Sequence, residues 1–175
     1  MPIDESVDFV PIRIAVLTVS DTRTTETDTS GDLLVERLTT LGHELADRAL
    51  VPDDMGAILT RLHHWVDDST IQCILITGGT GVTGRDITPE ALKIFNGKEI
   101  PGFGEMFRWL SFKSIGTSTI QSRAIGYVIR STYVFALPGS NGACRDAWDE
   151  ILVHQLDSRF RPCNFVDLIG RLREV

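Results

Sequence analysis

Two stretches of this chain are apolar almost without interruption: residues 13–20 read RIAVLTVS and residues 72–77 read QCILIT. A strand with one wet face alternates apolar and polar residues, whereas a strand covered on both faces does not. The two runs therefore call for a sheet packed between helices. The segment between them supplies the helices. Leu33, Leu34, Leu38 and Leu41 recur at helical spacing behind Ser30, a capping residue type, and Gly42 ends the run. Pro52, Asp53 and Asp54 open a second helix bearing Ile58, Leu59, Leu62, Trp65 and Val66. Residues 43–51 are more polar and more alternating, which suits a strand nearer the sheet edge.

Strand, helix, strand, helix, strand in this order predicts a three-layer α/β sandwich. Its sheet is mostly parallel and doubly wound, with right-handed crossovers and helices on both faces. Ligands of such sheets bind outside the carboxyl ends of the strands. Ser20 and Asp21, Pro52 and Asp53, and the glycine loop after Thr77 all follow strand ends, so they should meet on one rim. Beyond them, a helix is expected from Thr88 or Pro89 to Phe95. Phe103, Met106, Phe107, Leu110 and Phe112 form an apolar face for core or a subunit interface. A short helix follows at 117–125, then two strands around Ser131, a loop from Pro138 to Gly142, and a helix at 143–156. Trp65 and Trp148 fall on apolar positions of the core, and Trp109 on core or interface. Residues 1–12 read as a flexible segment, 13–165 as the domain, and 166–175 as a tail with little pattern.

The chain has 175 residues and a net charge of −7. It shows no basic stripe, so no nucleic-acid partner is expected. A small anion remains open, because amides of glycine loops bind phosphate whatever the global charge. The longest apolar runs are strand-sized, and the acidic N-terminal residues lack a signal core. These features predict a cytoplasmic protein with no membrane association. Cys73, Cys144 and Cys163 form no CxxC pair and read as reduced thiols. The four histidines show no ligand spacing with them.

The most informative stretch runs from Thr77 to Glu90, TGGTGVTGRDITPE. Gly78, Gly79 and Gly81 allow positive φ angles and close backbone approach to a ligand. Thr80 and Thr83 add hydroxyls. Arg85 suits phosphate oxygens, and Asp86 suits Mg²⁺. The stretch lacks the Lys-Ser/Thr ending of a Walker A loop and is not the GxGxxG fingerprint. Other positions keep alternatives open. Asp53, by position alone, is better explained as a helix N-terminal acid. Asp21 can serve metal, ribose or a backbone N–H. Ser140 can cap a helix, contact phosphate, or do both. Glu105 either starts a helix or sits in a loop placed close to a ligand.

With these residues laid out, the chain resembles the MogA/MoaB family of molybdenum cofactor biosynthesis proteins. The resemblance is carried by VLTVSD, DTSG, TGGTGVTGRDITPEAL, PGFGEMFR, IGTSTIQSRA, FALPGS and LDSRFRPCNF, from about residue 13 to residue 165. The RPCNF ending and the compact length are closer to the B-type branch. The resemblance implies a molybdopterin adenylyltransferase, which transfers AMP from ATP, with Mg²⁺, to the phosphate of molybdopterin and releases pyrophosphate. It implies a homo-oligomer, a trimer or a hexamer of two trimers. It matches Asp53 and Asp86 to the catalytic and metal-binding aspartates. Ser20, Asp21, Thr77, Gly78, Gly79, Thr80, Gly81, Arg85, Thr88, Glu105, Pro138, Gly139 and Ser140 stand as binding positions. Many relatives carry a second proline after Pro-Gly-Ser, where this chain has Asn141-Gly142. Some B-type relatives lose the arginine before the second aspartate, and this chain keeps Arg85 and Thr88. Two alternatives accompany the reading: a pterin-binding oligomer of the same fold without turnover, and a nucleotide pyrophosphohydrolase.

Overall fold

The computed structural model of the chain describes residues 3–174. Six strands form one sheet in the order β2-β1-β3-β6-β5-β4. They are β1 (Arg13–Val19), β2 (Glu44–Val51), β3 (Cys73–Thr77), β4 (Lys98–Glu99), β5 (Ile125–Ile129) and β6 (Thr132–Leu137). The four strands from β2 to β6 run parallel, while β5 and β4 close the far edge antiparallel. The hairpin between β5 and β6 turns at Arg130, whose φ of 56° is left-handed.

The uninterrupted apolar runs are divided between two cores by the strand period of two. Ile14, Val16, Cys73, Leu75, Tyr133 and Phe135 face α1 (Thr29–Leu41), α4 (Pro101–Ile115) and α5 (Asn141–Ala147). Ala15, Leu17, Ile74, Ile76, Val134 and Ala136 face α2 (Met55–Asp67) and α3 (Thr88–Ile94). The three layers expected from the sequence are therefore present, with β2 on the sheet edge as its polarity required.

Several local expectations are revised. Asp28, not Ser30, caps α1: its carboxylate accepts the Gly31 N–H at 3.0 Å, and Ser30 is buried inside the helix. Aspartate reaches the orphan amide two residues earlier in the chain than a hydroxyl at Ser30 would allow. The last helix starts at Asn141, two residues before its expected start, because Ser140 caps it at 3.2 Å through the Ala143 N–H. It then continues through a π segment, Trp148–Leu152, into α6 (Val153–Gln155). The segment at 117–125 is a 3₁₀ helix, Gly116–Gln121, running into β5. Trp109 is 60% exposed and so does not belong to the core, whereas Trp65 and Trp148 do.

The segment read as flexible lies on the domain from residue 3 onward. Ile3 bridges Phe160, and the Asp4 N–H donates to the Arg159 carbonyl at 2.9 Å. The Phe9 ring packs tilted against His43 at 5.1 Å between centroids, and Ile12 is buried. The apolar side chains spaced through this acidic segment give it something to bury. The tail is also structured: Val166–Arg171 forms a 3₁₀ helix, with Val166 buried and Ile169 packed on the α1/α4/α5 core.

Candidate active site

Parallel register brings the strand ends level. Val19 pairs with Val51, Thr18 with Thr77, and Thr77 with Leu137. The loops after β1, β2, β3 and β6 therefore meet at one rim. They enclose a crevice of about 520 Å³. Ser20, Asp21 and Asp53 line it from the first two loops. Gly78, Gly79, Thr80, Gly81, Arg85 and Asp86 line it from the glycine loop, and Pro138, Gly139 and Ser140 from the loop after β6. Helix α1 packs on one face of the sheet and α2 on the other, so the chain changes face between β1 and β3. That switch point is where open α/β sheets leave a binding crevice.

The glycines are required by close approach. Gly78 has φ +102°, and a Cβ there would collide with the Val19 carbonyl. At Gly81 a Cβ would lie 2.7 Å from the Asp86 carboxylate. The loop is pinned from below. Gly78 N–H donates to Leu137 O at 3.0 Å, and Thr88 returns its N–H to Gly79 O and its hydroxyl to Gly78 O, each at 2.9 Å. Thr77, fully buried, donates its hydroxyl to Pro138 O at 3.2 Å. Thr77 and Thr88, expected as ligand contacts, thus lie beneath the crevice and fix its loops. The amides of Gly79, Thr80, Gly139 and Ser140 find no acceptor among the described residues. Asn141 accepts the Thr29 hydroxyl at 3.1 Å and ties its loop to α1.

The acids form a connected set. Asp21 N–H donates to Asp53 Oδ2 at 3.1 Å, and Asp53 N–H donates to Asp21 Oδ1 at 3.0 Å. The reciprocal pair locks the β1 loop to the β2 loop. Asp54, not Asp53, caps α2, accepting the Ala57 N–H at 2.9 Å. The carboxylate of Asp53 is therefore released from helix duty, and its Oδ1 faces Gly79. Arg85 donates to Asp21 through Nε at 3.0 Å and through Nη2. Asp86 accepts the Thr83 N–H at 2.9 Å and the Thr83 hydroxyl at 2.7 Å.

These contacts sort the carboxyls by environment. Burial pushes the Asp53 carboxyl above its ordinary range, and the negative charge of Asp21 adds to the rise. Hydrogen bonds from Arg85 hold Asp21 below that range. Burial raises Asp86, but the Thr83 hydroxyl and amide, the Gly81 amide and the charge of Arg123 outweigh it, so Asp86 is held low.

Glu105 is the one expected site residue that lines a different cavity. It lines a second cavity of about 360 Å³ with Pro101, Arg108 and Arg123. Pro101 and Gly102 start α4 rather than a loop, which carries Glu105 to the far side of the glycine loop. Conversely, Arg123 was not singled out by sequence reasoning, although its side chain holds the glycine loop from behind. Its contacts to the loop are to backbone carbonyls, which leave no residue-type signature; the sole sequence signal is its place in IGTSTIQSRA.

Asp53 and Asp86 offer hard oxygen donors on two sides of the glycine loop. Mg²⁺ takes one or two carboxylates and completes its shell with water and substrate phosphates, so this donor set fits it. No group of three or more His, Cys, Asp or Glu among the described residues stands close enough to hold a metal by itself. Three aspartates against one arginine make the opening acidic. A polyphosphate alone would be repelled there and needs an accompanying cation.

The family model described as "Probable molybdopterin binding domain" matches residues 15–158. The chain belongs to this molybdopterin-binding family. Its sequence is 50% identical to molybdenum cofactor biosynthesis protein B of Escherichia coli (strain K12) over 160 residues, covering 91% of this chain and 94% of that protein. A crystal structure of a molybdenum cofactor biosynthesis protein B superposes with a TM-score of 0.84 at 37% identity, covering 95% of this chain and 98% of that one. The tungsten cofactor synthesizing protein MoaB from Pyrococcus furiosus gives 0.77 at 32% identity, covering 94% and 98%. The family's fold is thus shared over nearly the whole chain, and no helix among the described residues is long and apolar enough to cross a membrane.

Proposed function

We propose that this chain acts in molybdenum cofactor biosynthesis as a molybdopterin adenylyltransferase. It takes ATP and molybdopterin as substrates and joins AMP to the pterin phosphate. The observation that carries the reading is the shared opening. Two aspartates from different loops, a glycine loop with free amides and one arginine line a single crevice in a molybdopterin-binding fold. The names of the relatives carry the cofactor half of the reading.

In this reaction the pterin phosphate oxygen bonds to the α-phosphorus of ATP, and the bond from that phosphorus to the bridging oxygen breaks as pyrophosphate leaves. The attacking oxygen is already an anion, so no strong base is needed. The protein's task is to hold two anions in line and to stabilise the leaving charge. Free amides of Gly79 and Thr80, and of Gly139 and Ser140, donate to phosphate oxygens from two sides. Asp53 and Asp86 would hold Mg²⁺, which supplies neutralisation of phosphate charge when bound. Arg85 exchanges its Asp21 partner for a phosphate oxygen, a swap that keeps its charge paired throughout.

The same reading makes the working unit a homo-oligomer. Met106, Trp109, Phe112 and Ile115 recur every third residue of α4 and are each at least half exposed, and Ile120 beside them is 81% exposed. Large exposed apolar side chains gathered on one helix mark an interaction surface, and a second copy of the chain is its proposed occupant.

The test is direct. Purified protein, ATP, Mg²⁺ and molybdopterin should yield adenylylated pterin and pyrophosphate. Pterin binding without product would favour a non-catalytic oligomer. Cleavage of a nucleotide diphosphate compound without pterin would favour a pyrophosphohydrolase.

A further inference from the structure

We infer that Arg123 is the positioning residue of the glycine loop, and that it sets Asp86 by gripping the loop's backbone rather than by touching substrate. The inference rests on the adenylyl-transfer reading for its kinetic consequence. Its structural half stands alone.

Arg123 makes four contacts, all to one segment. Its backbone N–H donates to the Thr80 carbonyl at 3.0 Å. Its Nε donates to the Gly81 carbonyl at 2.6 Å, and its Nη2 to the Asp86 carbonyl at 2.7 Å. Its Nη1 pairs with Glu90 in the first turn of α3. One planar guanidinium thus joins the start of the loop, its end and the helix that follows. Without Arg123, the exposed stretch from Val82 to Arg85 has only the Thr83–Asp86 turn and the Arg85–Asp21 pair to hold its shape.

The grip decides where the Asp86 carboxylate stands. Its backbone carbonyl is fixed from behind by Arg123, while its side chain turns forward to Thr83 and Gly81. A lysine carries the same charge but offers a single donor centre, and it cannot span three acceptors in a plane. Arg123 lines the cavity behind the loop and not the crevice in front of it, so it does not meet the phosphates.

The test compares Arg123→Lys and Arg123→Gln with the wild-type chain. Amide hydrogen exchange without ligand should be at least about tenfold faster at residues 81–86 in both variants, with β3 and β6 still protected. In the transfer assay kcat should fall about 100-fold, the scale of a misplaced catalytic group, while KM for ATP stays within about threefold. Wild-type exchange in the loop, wild-type kcat in Arg123→Lys, or a loss confined to KM would each overturn the inference. So would loss of protection across β3 and β6 in both variants, which would make Arg123 a residue of the fold. If the wild-type chain makes no adenylylated pterin, the proposed reaction falls, and loop exchange still decides what Arg123 does.

Discussion

At the scale of single residues, the crevice separates two aspartates by what surrounds them. Thr83, Gly81 and Arg123 hold the Asp86 carboxyl low against its burial, as the proposed cation ligand requires. Asp86→Ala should lower transfer by about 100-fold or more while the fold persists, and near wild-type turnover would remove its metal role. Asp53 is raised by burial and by Asp21, so its charged form opposes folding. The folded chain therefore holds this proton to higher pH than the unfolded chain does. The penalty is absent below the ordinary carboxylate range, grows as pH rises towards the raised native value, and is complete above it. Asp53→Asn should accordingly raise the thermal midpoint at pH 7 and cost turnover, with the midpoint gain vanishing in acid. A variant less stable than wild type at pH 7 would contradict this. Position in the sequence could not identify Asp53, because a helix N-terminal acid and a crevice acid look alike there. The structure gives the cap to Asp54 and frees its neighbour.

At the scale of elements, the helix starts and the glycine loop do the placing. Asp28 is 1% exposed and holds the α1 N-terminus, the Thr18 hydroxyl of β1 and Arg48 of β2 together. Burial pushes its carboxyl up, but Arg48, Gly31 and Thr18 outweigh that and keep it low. Its contribution to stability is present above the unfolded carboxylate range and is lost as pH falls through the native value. Asp28→Ala leaves Arg48 short of a buried partner. It should cost about 3 kcal/mol, or about 6–12 °C in the melting midpoint, by calorimetry at pH 7. A midpoint within a degree of wild type would contradict that role. In the loop, Gly81→Ala sets a methyl against the Asp86 carboxylate. It should cut kcat about 100-fold with little change in melting, because a displaced ligand costs rate before it costs stability. The strands and the loop were legible in the sequence because apolar runs and glycine clusters carry their own physics. Asp28 was missed because Ser30, two residues on, satisfied the same capping rule.

At the scale of the whole molecule, the parallel register turns four separate loops into one site. The loops after β1, β2, β3 and β6, spread along the chain from Asp21 to Ser140, meet because their strands end level. The convergence of the first three followed from the strand and helix order alone, and the loop after β6 joins them because β6 pairs parallel with β3. Glu105 did not follow, since the helical start at Pro101 sends it behind the loop, and neither did Arg123, whose partners in the loop are carbonyls. The α4 stripe belongs to this scale too. If the proposed homo-oligomer forms there, Trp109→Glu should convert it to a monomer in sedimentation, and a wild-type chain already monomeric would remove the proposed interface. The central claim is that the crevice holds nucleotide phosphates between the two aspartates. A crystal grown with Mg²⁺ and a non-hydrolysable ATP analogue tests it most directly. The account requires phosphate oxygens on the amides of residues 79–80 and a cation within reach of the carboxylates of residues 53 and 86. Nucleotide bound elsewhere on the protein, with that opening filled only by water, would contradict it.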